Sequence, residues 1–409
     1  MANNVKVLDV ISKEILRYFM VDSVVANTFC RQYDDTYRMS GANSGSTIRI
    51  KQPQRVTVST GATIDIQDLV EREVSLARTT QKHVALNFTS AELTQDLAEN
   101  ADKLALFSNE YLKAAMDSIC SVVDSAGLEF AGDATYNSVG TPGTDPSGYS
   151  DVTSAKALLG KYNTPRIDRH FVLTTDSMGS MNAGMSGLFN PTQAKSADYK
   201  SGLLADSNGF KFWETDFLPR HLNGDADDST ALVNGSTSEA AATIVTDGWG
   251  ATETITKGTH ITLAGVYRAN LVSKESKSDL QQFIVTADTT AVAGAMTIPI
   301  APAIEAAGAY QNVSALPADN AAITIVSGTL STAYDMNLFY HKDAFVFATQ
   351  DLKNIGTPNE FFVRDEDLGV SMKVTMDGNI STMQAISRLD ILYGFAAIAP
   401  WWSGKLWAA

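Results

Sequence analysis

Apolar residues recur at three- and four-residue spacing near the start of the chain. Val7, Leu8, Ile11, Ile15, Leu16, Phe19 and Met20 share one face, and Lys6, Lys13, Glu14 and Arg17 occupy the others. That period predicts an amphipathic helix over Val5–Ala26. The polar stretch Arg31–Ser46 follows, ending in Gly41, Asn43 and Gly45, so the helix is expected to be a loosely tethered arm. The period then changes to two. Ile48, Ile50, Val56 and Val58 alternate with Arg49, Lys51 and Arg55, and Pro53 marks Thr47–Val58 as an edge or exposed strand. Gly61 turns the chain. Ile64, Ile66 and Val70 alternate with Asp65, Gln67 and Asp68, and Val84, Leu86 and Phe88 close the excursion as a further strand. One arm of this excursion is basic and the other acidic (Asp65, Asp68, Glu71, Glu73).

Thr89-Ser90-Ala91-Glu92 fits a capping box, in which the hydroxyl satisfies a free amide and the glutamate reaches back. An apolar stripe follows: Leu93, Leu97, Leu104, Phe107, Tyr111, Leu112, Ala115, Ile119, Val122 and Val123, with Gly127 as the expected terminator. At 1.5 Å per residue such a helix spans roughly 55–60 Å. The excursion has too little apolar surface for a core of its own, and the helix is much longer than average. The pair makes sense when the excursion lies on a neighbouring copy of the same protein, as in a shell or array.

Ala131–Asp151 is rich in Gly, Pro, Ser and Thr and reads as loop; Val152–Leu159 reads as helix and His170–Thr174 as a short strand. A Gly- and Met-rich surface segment runs on to Asn190. Near Asn223–Gly235 the composition shifts through an acidic turn (Asp225, Asp227, Asp228). Up to Gly328 the chain is Thr-, Ala- and Val-rich, with strand candidates at Thr259–Val266, Phe283–Thr286, Met296–Ile300 and Ile323–Val326. Their spacing predicts a small all-β domain inserted at Thr230–Gly328. Mixed strands return from Asn337 and end in the apolar run Ile391–Trp402. With Trp407, Trp401 and Trp402 of that run are expected in core or interface packing.

Composition narrows the function. The chain has 409 residues, 44% hydrophobic and 19% charged, with a formal net charge of −15. Clustered Lys and Arg are what a phosphate backbone binds, so nucleic acid is not expected as the main partner. An acidic wall repels DNA, which suits a container for it, although most acidic proteins contain nothing. No apolar run reaches the eighteen or so residues needed to span a bilayer. The charged start, with Lys6, Asp9, Lys13, Glu14 and Arg17, does not resemble a signal peptide, so a cytoplasm is the expected setting. Cys30 and Cys120 are read as two free thiols.

Candidate chemistry is sparse. His83, His170, His221, His260 and His341 stand singly and are read as structural or surface residues, and no CxxC or phosphate-binding glycine loop is present. Gly184-Met185-Ser186-Gly187-Leu188 lacks the closing glycine of a nucleophile elbow. The aspartates at 225, 227 and 228 lack the closing glutamate of a calcium loop. Arg364-Asp365-Glu366-Asp367 reads as a solvated or intersubunit charge run. No catalytic, cofactor-binding or metal residue is therefore assigned.

The C-terminal segment carries a resemblance. Asp367-Leu368-Gly369, Ile380-Ser381-Thr382, Arg388, Tyr393-Gly394 and Pro400 resemble, at matching spacings, the C-terminal region of the coat proteins of short-tailed Salmonella phages. Lys257-Gly258-Thr259-His260-Ile261-Thr262-Leu263-Ala264-Gly265-Val266 looks like a strand of the insertion domain those proteins carry, and the order of parts is similar across nearly the whole chain. The resemblance implies an α+β chain with the tailed-phage major capsid fold, the Hong Kong ninety-seven fold. Its parts would be an N-terminal arm (1–46), an extended loop (47–88), a peripheral domain with the spine helix (89–150), an axial domain (151–229), an inserted β-barrel-like domain (230–328) and return strands completing the axial and peripheral domains (329–409). Most other positions depart from the family pattern, the arm and the rims of the insertion included.

The expected function is a major capsid protein without enzymatic activity, assembling as hexamers and pentamers into an icosahedral shell around double-stranded DNA. The alternatives are another virion part, such as a tail-tube or decoration protein, and an enzyme such as an acidic hydrolase. Arg49, Lys51, Arg55, Asp65, Asp68, Glu71 and Glu73 are the candidate intersubunit contacts. Asp9, Glu14 and Asp22 are the candidate contacts for a basic scaffolding protein. By resemblance the contacts are noncovalent, and a portal protein and decoration proteins are further possible partners.

Overall fold

The computed structural model describes residues 23–31, 47–58, 61–62, 66–89, 113–185, 208–353, 360–365, 370–379 and 381–408. The predicted arm helix lies outside these residues except for its end, as do the start of the spine helix and the sequence Asp367-Leu368-Gly369. The chain divides into two compact units, one formed by 1–51, 73–127 and 345–398, the other by 52–72, 128–344 and 399–409.

In the first unit a long central strand, Gln384–Ala397, pairs antiparallel with Phe345–Thr349, Val370–Asn379 and Thr80–Thr89, and Glu360–Asp365 pairs with Val370–Asn379. The basic strand is shorter than its alternation predicts, Thr47–Lys51, and pairs with Glu73–Ala77, which the sequence did not announce as a strand. The alternation still fixes the face. Ile50 and Leu76 turn inward and pack with Cys30, Val346, Ala348, Ala396 and Ile398, while their neighbours Arg49, Lys51, Glu73 and Ser75 do not.

A short helix, Val24–Thr28, opens the described chain. Ser23 caps it by accepting from the Ala26 amide. Asp124 ties this start to the long helix Lys113–Ala134: its carboxylate accepts from the Ser23 hydroxyl at 2.6 Å and from the Val24 and Val25 amides at 2.7 and 3.2 Å. Burial pushes the Asp124 carboxyl up to about 6, against three hydrogen bonds that favour the ionised form.

The long helix also corrects an expectation. It does not stop at Gly127 but runs to Ala134, into the stretch that reads as loop. Gly127 serves packing instead. A Cβ there would stand 2.8 Å from Val25 Cγ2 and 3.1 Å from Phe395 Cε1. Within the helix the buried apolar positions include Ala115, Met116, Ile119, Cys120, Val123, Leu128 and Ala131, whereas Val122, expected on the apolar stripe, is exposed.

Among its described residues the second unit contains two six-stranded sheets and a two-stranded one, Thr254–Ile255 with Thr289–Thr290. One six-stranded sheet runs in the order Ser138–Val139, Ser403–Trp407, Ala333–His341, Arg169–Leu173, Phe210–Glu214, with Arg220–Leu222 also paired to Ala333–His341. Two helices, Tyr149–Lys161 and Thr175–Met185, supply Val152, Ala155, Leu159, Met178 and Met181 to the core around Phe171, Phe210, Phe339 and Leu406. The second helix replaces most of the expected Gly- and Met-rich surface segment. Its two buried methionines outweigh the poor helix propensity of Gly179 and Gly184.

The other six-stranded sheet has the order Ile323–Ile325, His260–Ala269, Ser276–Val285, Met296–Ile304, Ala241–Asp247, Leu232–Val233. All its pairings are antiparallel, and its two ends meet: Leu232 bridges Ala322, and the Val233 amide donates to the Ala321 carbonyl at 3.0 Å. The result is a nearly closed barrel. It has its own apolar core, including Ile244, Trp249, Ile261, Leu263, Val266, Phe283, Ile298 and Ile323. Asn223 joins the two connections to this barrel by donating to the Ser327 and Thr329 carbonyls at 2.9 and 3.0 Å.

Candidate assembly surfaces

The proposed contact residues fall into distinct settings. Arg49 is 78% exposed at its side chain and lies 3.8 Å from Glu73 of its own hairpin, so part of the predicted charge complementarity is met within the chain. Exposed ion pairs of this kind contribute about 0–1 kcal/mol. Lys51 faces Glu73 across the same ladder. Further along, Gln54 donates to the Glu71 carboxylate at 3.1 Å, and the Gln67 side chain bonds both backbone groups of Thr57 at 2.7 and 3.0 Å. Side-chain amides thus hold the two arms of the excursion together where no ladder exists. Asp68 and Glu71 are exposed. Asp65, Asp9, Glu14 and Asp22 lie outside the described residues.

Residues 52–72 are also fastened to the barrel of the same unit. Arg72 makes a two-pronged ion pair with Glu305 at 2.8 and 2.9 Å and lies over the Tyr310 ring at 3.8 Å, while the Tyr310 hydroxyl donates to the Val70 carbonyl at 2.7 Å. Sequence reasoning missed Arg72, Glu305 and Tyr310. Arg72 and Glu305 are 233 positions apart, and no local pattern links them. This anchoring leaves apolar side chains uncovered beside the exposed carboxylates: Val58 is 91% exposed, Ile66 86%, Leu69 64% and Val70 60%.

The histidines serve burial rather than a reaction centre. His170, His221, His260 and His341 are buried, and His83 is exposed. Nδ1 of His170 accepts from Trp213 Nε1 at 3.0 Å, and Nε2 of His260 lies 3.0 Å from the Thr135 carbonyl, which makes it the donor. Burial lowers His170 and His221 to about 4 and holds His260 well below its usual range. Lys405, buried beside His221 and His260, drops to about 7 through desolvation, which Asp133 only partly opposes; its ammonium meets the Gly258 carbonyl at 3.3 Å. The three aspartates of the acidic turn are occupied as acceptors: Asp225 from Thr254, Asp227 from the Ser229 amide, Asp228 from the Ile325 amide. Among the described residues no group of His, Cys, Asp and Glu could hold a metal ion, and no helix is long and apolar enough to cross a membrane.

The chain is mixed α/β, with an excursion fastened at its base and a nearly closed barrel, and comparison with known proteins says which family it belongs to. A family model described as P22 coat protein, gene protein 5, matches residues 1–405. The chain is a phage coat protein, a structural and non-enzymatic subunit that self-assembles into the virion shell. It belongs to the P22 coat protein family.

Solved structures similar to the chain include that of Mycobacterium phage Che8, at 12% identity over 94% of this chain and 91% of the other, with a TM-score of 0.49. The capsid of cyanophage P-SCSP1u aligns at 9% identity over 90% and 85%, with a TM-score of 0.45. The CUS-3 coat protein I-domain aligns at 25% identity over 24% of this chain and 96% of its own length, with a TM-score of 0.19. No curated protein sequence matches the chain.

Proposed function

We propose that the chain forms hexamers and pentamers of an icosahedral shell around double-stranded DNA, joined through its N-terminal arm, its extended loop and its inserted barrel. The observation that carries this reading is the excursion, whose Val58, Ile66, Leu69 and Val70 are left exposed in the single chain although its base is firmly tied down. Isolated exposed apolar residues are ordinary, but a cluster of them on a fastened projection marks a surface for another chain. The basic residues Arg49, Lys51 and Arg55 and the acidic residues Asp65, Asp68, Glu71 and Glu73 supply register. The net charge of −15 suits a wall that encloses DNA without binding its sequence.

Electron microscopy of the purified protein tests this reading: closed shells are expected, and tubes or only discrete particles would overturn it. Reversing Asp68, Glu71 and Glu73 to lysine is expected to remove shells while a folded monomer accumulates. Each contact is worth about 0–1 kcal/mol, but the loss repeats at every subunit of a shell. Normal shell yield from the triple variant would remove these residues from the interface. The contacts are noncovalent, so denatured shells run as a monomer band; a ladder of linked chains would contradict that.

Assembly takes place in the bacterial host cytoplasm with a scaffolding protein, a portal protein and, in some particles, a decoration protein. Asp9, Glu14 and Asp22 of the N-terminal arm are the proposed seat of a basic scaffold segment, because carboxylates attract a basic partner. Neutralising the three carboxylates is expected to weaken scaffold binding and flatten its salt dependence, since screening acts over about 8–10 Å. Unchanged binding would move the scaffold contact elsewhere.

A further inference from the structure

One cation of the excursion differs from the others. Arg49 has Glu73, and Arg72 has Glu305. Arg55 is half-buried, with its guanidinium 4.4 Å from the centre of the Trp401 ring and 5.7 Å from that of Tyr310. It makes no ion pair or hydrogen bond among the described residues. Its neighbourhood is already cationic. Lys274 gives its ammonium protons to the Leu271 and Ala309 carbonyls, and the Arg55 charge helps burial to depress it. Three cations, Arg55, Arg72 and Lys274, therefore share one carboxylate, Glu305.

A guanidinium withdrawn from water without an anion is costly, and ring faces repay only part of that cost. Arg55 also keeps its planar fork of donors unused, the geometry that fits a carboxylate in two-pronged fashion. The surplus of positive charge stands in a chain that carries 46 acidic against 31 basic residues. The chain self-assembles, so the acidic surface that every subunit meets in a shell belongs to another copy of itself.

We propose that Arg55, held over the Trp401 ring and flanked by Lys274 and Arg72, receives a carboxylate side chain from a second copy of the chain, and that this site is complete only in the assembled shell. The inference rests on the reading of the basic arm as an intersubunit surface and narrows it to one residue and one partner group. Arg49 and Arg72, already paired, are secondary. The aromatic floor holds the guanidinium in place, and the surplus charge selects an anion over a neutral hydrogen-bonding group.

Two measurements test it. In a density map of the wild-type shell, a Glu or Asp of a neighbouring subunit is expected within hydrogen-bonding distance of the Arg55 guanidinium. An Arg55 that contacts only its own chain, solvent or a different protein would overturn the proposal. Independently, Arg55→Lys shells treated with a carbodiimide are expected to give an amide link between position 55 and a carboxylate of another subunit, mapped by peptide mass spectrometry. A link confined to the same chain would count against it. Arg55→Gln is expected to raise the concentration needed for assembly by about tenfold, as loss of one charge-assisted contact implies. If the protein forms no shells at all, the proposed function fails; if shells form and Arg55 meets no neighbouring carboxylate, only this inference fails.

Discussion

Replacing Gly394 by alanine is expected to lower the stability of the protein by about 3 kcal/mol or more, at the upper end of what overpacking costs. Gly394 lies in the central strand Gln384–Ala397 of the first unit, beside Tyr393 in the segment that carries the family resemblance. A Cβ at this position would stand 2.1 Å from the Ala77 carbonyl oxygen, 2.9 Å from its carbon and 3.2 Å from the Arg78 Cα. Those atoms are backbone and cannot turn aside as a side chain can. Either the central strand or the chain around Ala77 must move, and Leu76, fully buried in the core beside it, moves too. Gly378, in the neighbouring strand, has no atom within 4 Å of its would-be Cβ. Gly378→Ala is therefore the control, expected within about 0.5 kcal/mol of wild type, as for surface changes generally. Urea unfolding of both variants measures the difference. Equal stabilities would show that the close approach of Ala77 to Gly394 is not a constraint.

Acidification from about pH 6.5 to pH 4 is expected to destabilise the second unit through its buried histidines. His170 and His221 are neutral in the fold and fall from their usual 6.5 to about 4, both chiefly by burial. The unfolded chain therefore binds protons first. Above pH 6.5 both states are neutral and nothing is lost; between 6.5 and 4 the unfolded state is favoured more with each step; below 4 the loss is complete. At about 1.4 kcal/mol per unit the two residues each contribute about 3 kcal/mol of lost stability. Lys405 faces His221 but adds no slope here, because below about 7 it is protonated in both states. Lys211, Asp168, Lys342 and His341 face His170. Asp124 in the other unit acts in reverse. Its raised carboxyl costs stability above about 6, a cost relieved on acidification. The decisive measurement is therefore the difference between wild type and His221→Gln across this range. The variant is expected to lose the His221 share of the acid sensitivity, about 3 kcal/mol between pH 6.5 and 4, and an unchanged pH profile would refute the role of His221.

Wherever burial alternates along one strand, the architecture was legible in the residues. His260–Ala269 and Met296–Ile304 were found because Ile261, Leu263, Ile298 and Ile300 recur at the period of a pleated sheet with one face in a core. Ala241–Asp247 was not found. Only Ile244 and Thr246 are buried in it, and two positions do not make a period. Glu73–Ala77 was hidden in the same way, since Leu76 alone is buried and the strand is defined by its partner Thr47–Lys51. The helix Thr175–Met185 contradicts its own glycines because Met178 and Met181 reach a core assembled from distant strands.

The sequence by itself determined the class of protein, the period of most elements and the ordering of its parts, because these depend on local alternation and on motifs a few residues long. It also set the opposite charges of the excursion. Tertiary structure decided what each residue is for. Gly127 looks like a helix stop and is instead a gap into which Val25 packs, a fact fixed by a segment 102 positions away in the chain (127 − 25). Arg72 finds Glu305, and Arg55 finds Trp401 and no carboxylate, because chain folding brings the excursion onto a barrel encoded far downstream. Five scattered histidines carry no sign of burial in the sequence, yet four of them are buried and held below their usual range by desolvation. Pairing, desolvation and close backbone approach are properties of juxtaposed surfaces, and a linear pattern records only the surfaces, not their juxtaposition.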